Sequence, residues 1–122
     1  MTGKKLLGDA GEGAAAEMLR SRGYRIVARN HRCRRGEVDL IAEKGELLIF
    51  VEVRTRATKA FGGPEETVSP AKQRRVLAAA RDFLARWRGP ERGARFDVVA
   101  VVDAPGGPKL QHFENAFDSG MF

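Results

Sequence analysis

The spacing of apolar residues divides the chain into alternating helical and extended segments. Leu7, Ala10, Ala14 and Met18 recur at helical spacing, with Ala15 and Leu19 widening the stripe, and predict a helix over 3–22. Gly23 follows Arg20 and Arg22 as a terminator. Residues 24–30 read as a first strand. Residues 37–43 and 46–54 read as a hairpin turned at Lys44-Gly45. Ser69 and Pro70 suit the cap and first position of a second helix running to about Arg88, and Gly89-Pro90 ends it. Its apolar stripe is Val76, Leu77, Ala80, Phe83, Leu84 and Trp87. Residues 95–102 are almost continuously apolar, as expected of a strand buried on both faces. Lys109 to Phe117 reads as a last edge strand or a short helix, with Leu110, Phe113 and Phe117 inward. The order αβββαβ, with one more strand if the last segment is extended, predicts an α/β fold. About five strands form a mixed sheet with a helix on each face, and the strand–helix–strand step is a parallel crossover. The 122 residues fit one domain, 1–122.

Two acids break this pattern. Asp39 lies in Val38-Asp39-Leu40-Ile41 and Glu52 in Ile49-Phe50-Val51-Glu52-Val53. A carboxylate in such a run costs several kcal/mol unless it is neutralised. Side chains alternate along a strand, so Glu37, Asp39 and Ile41 share one face, as do Phe50, Glu52 and Arg54. If both sets face the same side, two carboxylates and one cation converge. The chemistry expected there is a Mg²⁺ or Mn²⁺ site. Asp39 and Glu52 supply carboxylates and Val53 a backbone carbonyl. Glu12, at the margin of the first helix's apolar arc among Gly8, Gly11 and Gly13, adds a further acid. Arg54 has the place of a charge that stabilises a phosphate. Gln73 projects into the second helix's apolar stripe, either as a satisfied amide or to orient a site group. The competing reading is a set of surface acids paired with Arg54 and Arg56.

Charge narrows the partner. Lys and Arg number 22 against 16 Asp and Glu, a net +6. Arg20, Arg22, Arg25, Arg29, Arg32, Arg34 and Arg35 crowd one third of the chain, and Lys72, Arg74 and Arg75 open the second helix. Arginine suits bidentate phosphate contacts, so nucleic acid is the expected partner, through Arg29, Arg32, Arg34, Arg35, Arg56, Lys72, Arg74 and Arg75. A basic loop from Asn30 to Gly36 would form a phosphate-binding lip. The unpatterned stretch 55–68 would be a long functional loop.

Other chemistries find little support. Cys33 is the one cysteine and has no His–acid partner in view; His31 and His112 read as surface or packing residues. Gly8, Gly11 and Gly13 match a phosphate loop poorly, with no preceding strand and no Gly-Lys-Ser/Thr. No apolar run is long enough to span a membrane and no signal-like apolar core follows the N-terminus, so the expected location is the cytoplasm.

The whole chain resembles the UPF0102 family of small bacterial proteins. The matching residues are Gly8-Asp9-x-Gly11-Glu12 with Ala15-Ala16, then Gly23-Tyr24 and Arg29-Asn30. They continue with Gly36-Glu37-Val38-Asp39-Leu40-Ile41, Phe50-Val51-Glu52-Val53-Arg54-Thr55-Arg56, Phe61-Gly62 and Lys72-Gln73-Arg74. Arg95-Phe96-Asp97-Val98 and Asn115-Ala116-Phe117 complete the set. The family looks like a branch of the PD-(D/E)xK, restriction-endonuclease-like nucleases, close to archaeal Holliday junction resolvases. That resemblance implies a metal-dependent endonuclease acting on phosphodiesters, with branched or structured DNA ahead of RNA. Asp39 matches the motif aspartate, Glu52 the second acid and Glu12 the acid of the first helix. Gln73 matches a polar position at the start of the helix after the core hairpin. Val38 stands where the motif has proline, and Arg54 where it has lysine. Arginine stays protonated, so it binds phosphate but cannot act as a base. The alternative is therefore a nuclease-fold module that binds nucleic acid without cleaving it. Lys72 is the amine within reach on the following helix. Resolvases act as dimers, which implies a homodimer here, with Ala116-Phe117 and Met121-Phe122 as apolar C-terminal contributors.

Overall fold

The computed structural model describes the backbone of residues 3–56, 68–102 and 104–117, and the side chains of residues 10–55, 68–102 and 104–117. Most of the expected loop over 55–68 lies outside the described residues, as do the side chains of Arg56, Met121 and Phe122.

Helix α1 spans Gly3–Ser21 and strand β1 Arg25–Cys33. They are followed by β2 (Gly36–Lys44), β3 (Leu47–Arg56), α2 (Pro70–Arg86), β4 (Gly93–Val102) and β5 (Lys109–Phe117). The five strands form one mixed sheet in chain order, β1-β2-β3-β4-β5. β1, β2 and β3 are antiparallel neighbours, β3 and β4 run parallel, and β5 returns antiparallel to β4. The last segment is thus an edge strand rather than a helix. The parallel step needs a long connection, and α2 provides it.

Each helix covers one face. Ala15, Ala16 and Leu19 of α1 pack with Leu40, Ala42, Ile49, Val51, Val99 and Val101. Val76, Ala79 and Ala80 of α2 pack with Val38, Ile41, Leu48, Phe50, Phe96 and Val98. Residues 96–102 of β4 are all buried, which accounts for their lack of polar alternation. Phe50, Phe96 and Phe117 stack in sequence across β3, β4 and β5, and Phe83 of α2 meets Phe50 edge-on.

The β1–β2 connection is tighter than its composition suggests. Residues 31–33 continue β1, pairing with Val38, Glu37 and Gly36, and Arg34-Arg35 alone make the turn. The broad basic loop expected from Asn30 to Gly36 is therefore mostly strand. Asn30 adopts φ 51°, one of two non-glycine residues at positive φ among the described residues. Gly36 is required by packing: a Cβ there would lie 1.9 Å from the Arg75 carbonyl oxygen. The β2–β3 turn falls at Gly45-Glu46, one residue later than expected, with Gly45 at φ 59°.

A buried ionic cluster ties the far side of the sheet together. Asp97 is fully buried on β4. Its carboxylate accepts from Arg95 Nε at 2.9 Å and Nη2 at 2.7 Å, and from the Asn115 backbone N–H at 2.9 Å. It also lies 2.7 Å from His112 Nε2. Arg95 donates onward to the Tyr24 hydroxyl at 2.7 Å. Burial alone would raise the Asp97 carboxyl, but the bonds from His112, Arg95 and Asn115 outweigh it and hold it below the ordinary range. The α1–β1 link, β4 and β5 are thereby clamped around one side chain.

Candidate active site

Asp39 and Glu52 meet where β2 and β3 part. The ladder between these strands runs from Lys44↔Leu47 to Leu40↔Val51 and ends there. One residue further, Asp39 and Glu52 would stand opposite each other. Val38 packs on the α2 side and Leu40 on the α1 side, although residues two apart on a regular strand share a face. The pleat of β2 is therefore broken at Asp39. Its side chain takes over the missing ladder bond: Asp39 Oδ2 accepts from the Val53 N–H at 2.8 Å.

Glu52 continues the face that carries Leu48 and Phe50, beneath α2. Its side chain is 8% exposed. Oε2 pairs with Lys72 Nζ at 3.2 Å, whereas Oε1 is buried without a hydrogen-bond partner. Lys72 is held in place by the cap of α2. Ser69 accepts from the Lys72 N–H at 3.2 Å through its hydroxyl and from the Gln73 N–H at 2.8 Å through its carbonyl. The Gln73 side chain donates to the Val68 carbonyl at 2.8 Å. This bond ties down the entry to the helix.

The electrostatics follow from crowding a buried acid against a half-buried one. Burial raises Asp39, opposed by the Val53 N–H, by a hydrogen bond shared with Glu52 and by Lys72. Burial, then the neighbouring Asp39 charge, push Glu52 up to about 8, with Lys72 pulling the other way. At neutral pH the pair retains a proton. An orphaned carboxylate oxygen beside a second carboxylate is what a hard divalent cation satisfies, so the donor set fits Mg²⁺ or Mn²⁺.

The remaining expected residues fall around this pair. Arg54 is half-buried on the Glu52 face. Glu12 is half-buried on α1, next to Gly11, where a Cβ would lie 2.4 Å from Thr55 Oγ1. Helix α1 thus abuts the end of β3 just beyond the acids, with glycine permitting the approach. Among the described residues no three His, Cys, Asp or Glu side chains converge to hold an ion; the acids that meet are Asp39 and Glu52. Val53 donates its backbone N–H to Asp39.

Of the basic residues, Arg29, Arg32, Arg34, Arg35, Arg74 and Arg75 are exposed. Arg32 and Arg75 flank Glu37, at 3.1 and 3.8 Å. Arg35, Arg74 and Arg75 line a common groove with Arg81, which sequence reasoning did not single out. Its spacing of seven from Arg74 was the available signal. His31, read as a surface or packing residue, pairs with Asp82 at 2.8 Å and sits edge-on to Phe83, joining β1 to α2.

The model of the uncharacterised protein family UPF0102 matches residues 11–101. A UPF0102 protein of Anaeromyxobacter dehalogenans is 56% identical over 116 residues, 95% of this chain and 87% of the relative. One from Symbiobacterium thermophilum is 50% identical over 112 residues, covering 91% and 95%. One from Geobacter sulfurreducens is 46% identical over 115 residues, covering 93% and 90%. No helix among the described residues is long and apolar enough to cross a membrane.

Proposed function

For a chain that belongs to the UPF0102 family, we propose a metal-dependent nuclease that hydrolyses phosphodiesters in DNA, in branched or otherwise structured substrates. The observation that carries this reading is the Asp39–Glu52 pair, Glu52 buried and Asp39 half-buried, with one Glu52 oxygen left unpartnered and Lys72 3.2 Å from the other. A structural salt bridge does not require two acids to share one corner, since the second carboxylate only raises the energy of the first.

Asp39 and Glu52 would hold Mg²⁺ or Mn²⁺, which when bound lowers the pKa of a water and offsets charge on the phosphate. Lys72 brings an amine to within 3.2 Å of Glu52, from α2 rather than from two residues after it. Its amine exchanges a proton, which the guanidinium of Arg54 does not. Lys72 would orient the attacking water and, with Arg54 on the Glu52 face, balance charge on the phosphate. Val53 fixes the Asp39 carboxylate, and Gln73 fixes the first turn that carries Lys72.

The test is cleavage of linear, flapped and four-way DNA in Mg²⁺, Mn²⁺ or EDTA. Cleavage is expected to require metal and to be lost in Asp39→Asn and in Lys72→Ala. Metal-dependent cleavage undiminished in Asp39→Asn would sink the reading. A second reading, a module that binds DNA without turnover, is favoured by Arg54 at the motif lysine position. Salt-sensitive binding with no cleavage under any metal supports it, and cleavage gained in Arg54→Lys would trace the defect to that residue.

A further inference from the structure

The outer flank of α2 carries a groove of about 590 Å³ lined by Arg35, Ala71, Arg74, Arg75, Leu77, Ala78 and Arg81. We propose that this groove holds the sugar–phosphate backbone of a DNA duplex beyond the scissile position, with Arg35, Arg74, Arg75 and Arg81 as its phosphate contacts. The proposal rests on the nucleic-acid reading of the acidic pair and specifies which form of substrate that pair is offered.

The groove is built by helical periodicity. Positions 71, 74, 75, 78 and 81 recur every three or four residues and form one stripe. The stripe lies away from Val76, Ala79 and Ala80, which are buried against the sheet. Arginines alternate with Ala71 and Ala78, so the floor is low between the charges. Arg74 and Arg81 are seven residues apart, about 10 Å along the axis. The four arginines are exposed. Arg35 joins them from the β1–β2 turn, because Gly36 brings that turn against the Arg75 backbone. The acid that touches Arg75, Glu37, lies 3.8 Å away and is shared with Arg32.

Two features select a duplex. Bidentate guanidinium groups recognise phosphate without reading bases. Single strands are held largely by bases stacking on aromatic rings, and the described lining contains no Phe, Trp, Tyr or His. A groove that offers charge without a stacking platform suits a backbone whose bases are turned inward. It also joins the acids: Ala71 precedes Lys72, and Arg75 follows it by one turn. The N-terminal end of the stripe is therefore the end of α2 that carries Lys72, the partner of Glu52.

Binding in EDTA, read by fluorescence anisotropy, tests this separately from cleavage. The probes are a labelled duplex of about 20 base pairs and the corresponding single strand, titrated between about 50 and 200 mM salt. Wild type is expected to prefer the duplex. Arg74→Ala with Arg81→Ala is expected to raise the duplex Kd at least tenfold and to flatten the slope of log K against log salt by about 1.8, or 0.9 for each lost phosphate. The lysine pair, Arg74→Lys with Arg81→Lys, keeps the charges and is expected to keep the slope. This tells lost contacts from lost fold. Arg20→Ala, at the end of α1, is the surface control. An unchanged slope, a single-strand preference, an equal loss in Arg20→Ala or no wild-type binding at low salt overturns the proposal. Duplex binding that behaves as expected while wild type cleaves nothing in any metal would instead refute the nuclease and leave the groove standing.

Discussion

Replacing Glu52 by glutamine is expected to stabilise the metal-free protein above neutral pH and to do little at pH 5. Glu52 has an ordinary value of 4.5 and is pushed up to about 8 by burial and by Asp39. Its folded-state value exceeds its unfolded one, so the folded state holds the proton more tightly. The associated stability is present in full below about 4.5 and drains away as pH rises through 8. A difference of about 3.5 units at 1.36 kcal/mol each gives about 4–5 kcal/mol once the group is fully ionised, and about 3 kcal/mol at pH 7. Glutamine removes this penalty but leaves Lys72 without its partner, worth about 1 kcal/mol at a half-exposed amine. The net gain near pH 8 is therefore about 3 kcal/mol, or about 10–15 °C in Tm for a domain of this size. The assay is thermal unfolding of wild type and Glu52→Gln in EDTA across about pH 5–8. The gap between them should widen with pH. Mn²⁺ at pH 8 should raise wild type toward the variant and leave the variant unmoved. A gap independent of pH, or a variant that melts below wild type at pH 8, refutes the reasoning.

Three further outcomes are expected. Gly36→Ala places a Cβ 1.9 Å from a backbone oxygen that has no rotamer to escape into, and should cost 3 kcal/mol or more, at about the upper end for overpacking, in urea unfolding. Gly13→Ala meets nothing within 4 Å inside α1 and should instead gain about 0.5–1 kcal/mol from helix propensity. Asp97→Leu strips Arg95, His112 and the Asn115 N–H of their shared acceptor and should cost about 3–5 kcal/mol while leaving metal-induced stabilisation of the remaining fold intact.

Sequence pattern located the elements well where periodicity was local. The hairpin over β2 and β3, the Ser69-Pro70 start of α2 and the doubly buried β4 all announced themselves through spacing or capping chemistry. His31, Arg32 and Cys33 look like loop in the sequence because Asn30 and the arginines resemble a turn. Their strand pairing depends on Val38, Glu37 and Gly36, which no local window contains. Asp39 and Glu52 were legible as acids in apolar runs. Lys72 was visible as a nearby amine, but its bond to Glu52 depends on how α2 packs. Asp97 was passed over although it too begins an apolar run. Its partners come from β5 as well as from Arg95 next to it, and Tyr24 completes the cluster from beyond the end of α1. The same sequence signal, an acid in an apolar run, thus marks a saturated clamp at Asp97 and an unsaturated pair at Asp39 and Glu52. Only the partners tell them apart.

The contact between Gly36 and the Arg75 backbone has a kinetic consequence. It fixes the β1–β2 turn against α2, and the His31–Asp82 pair repeats the tie farther along the helix. The arginines on the two walls repel one another, yet their separation is set by backbone against backbone and not by the charges. A ligand entering such a preset slot orders little that is not already ordered. Its association is then governed by long-range attraction, and its arrival rate should fall steeply with added salt while its departure rate changes far less.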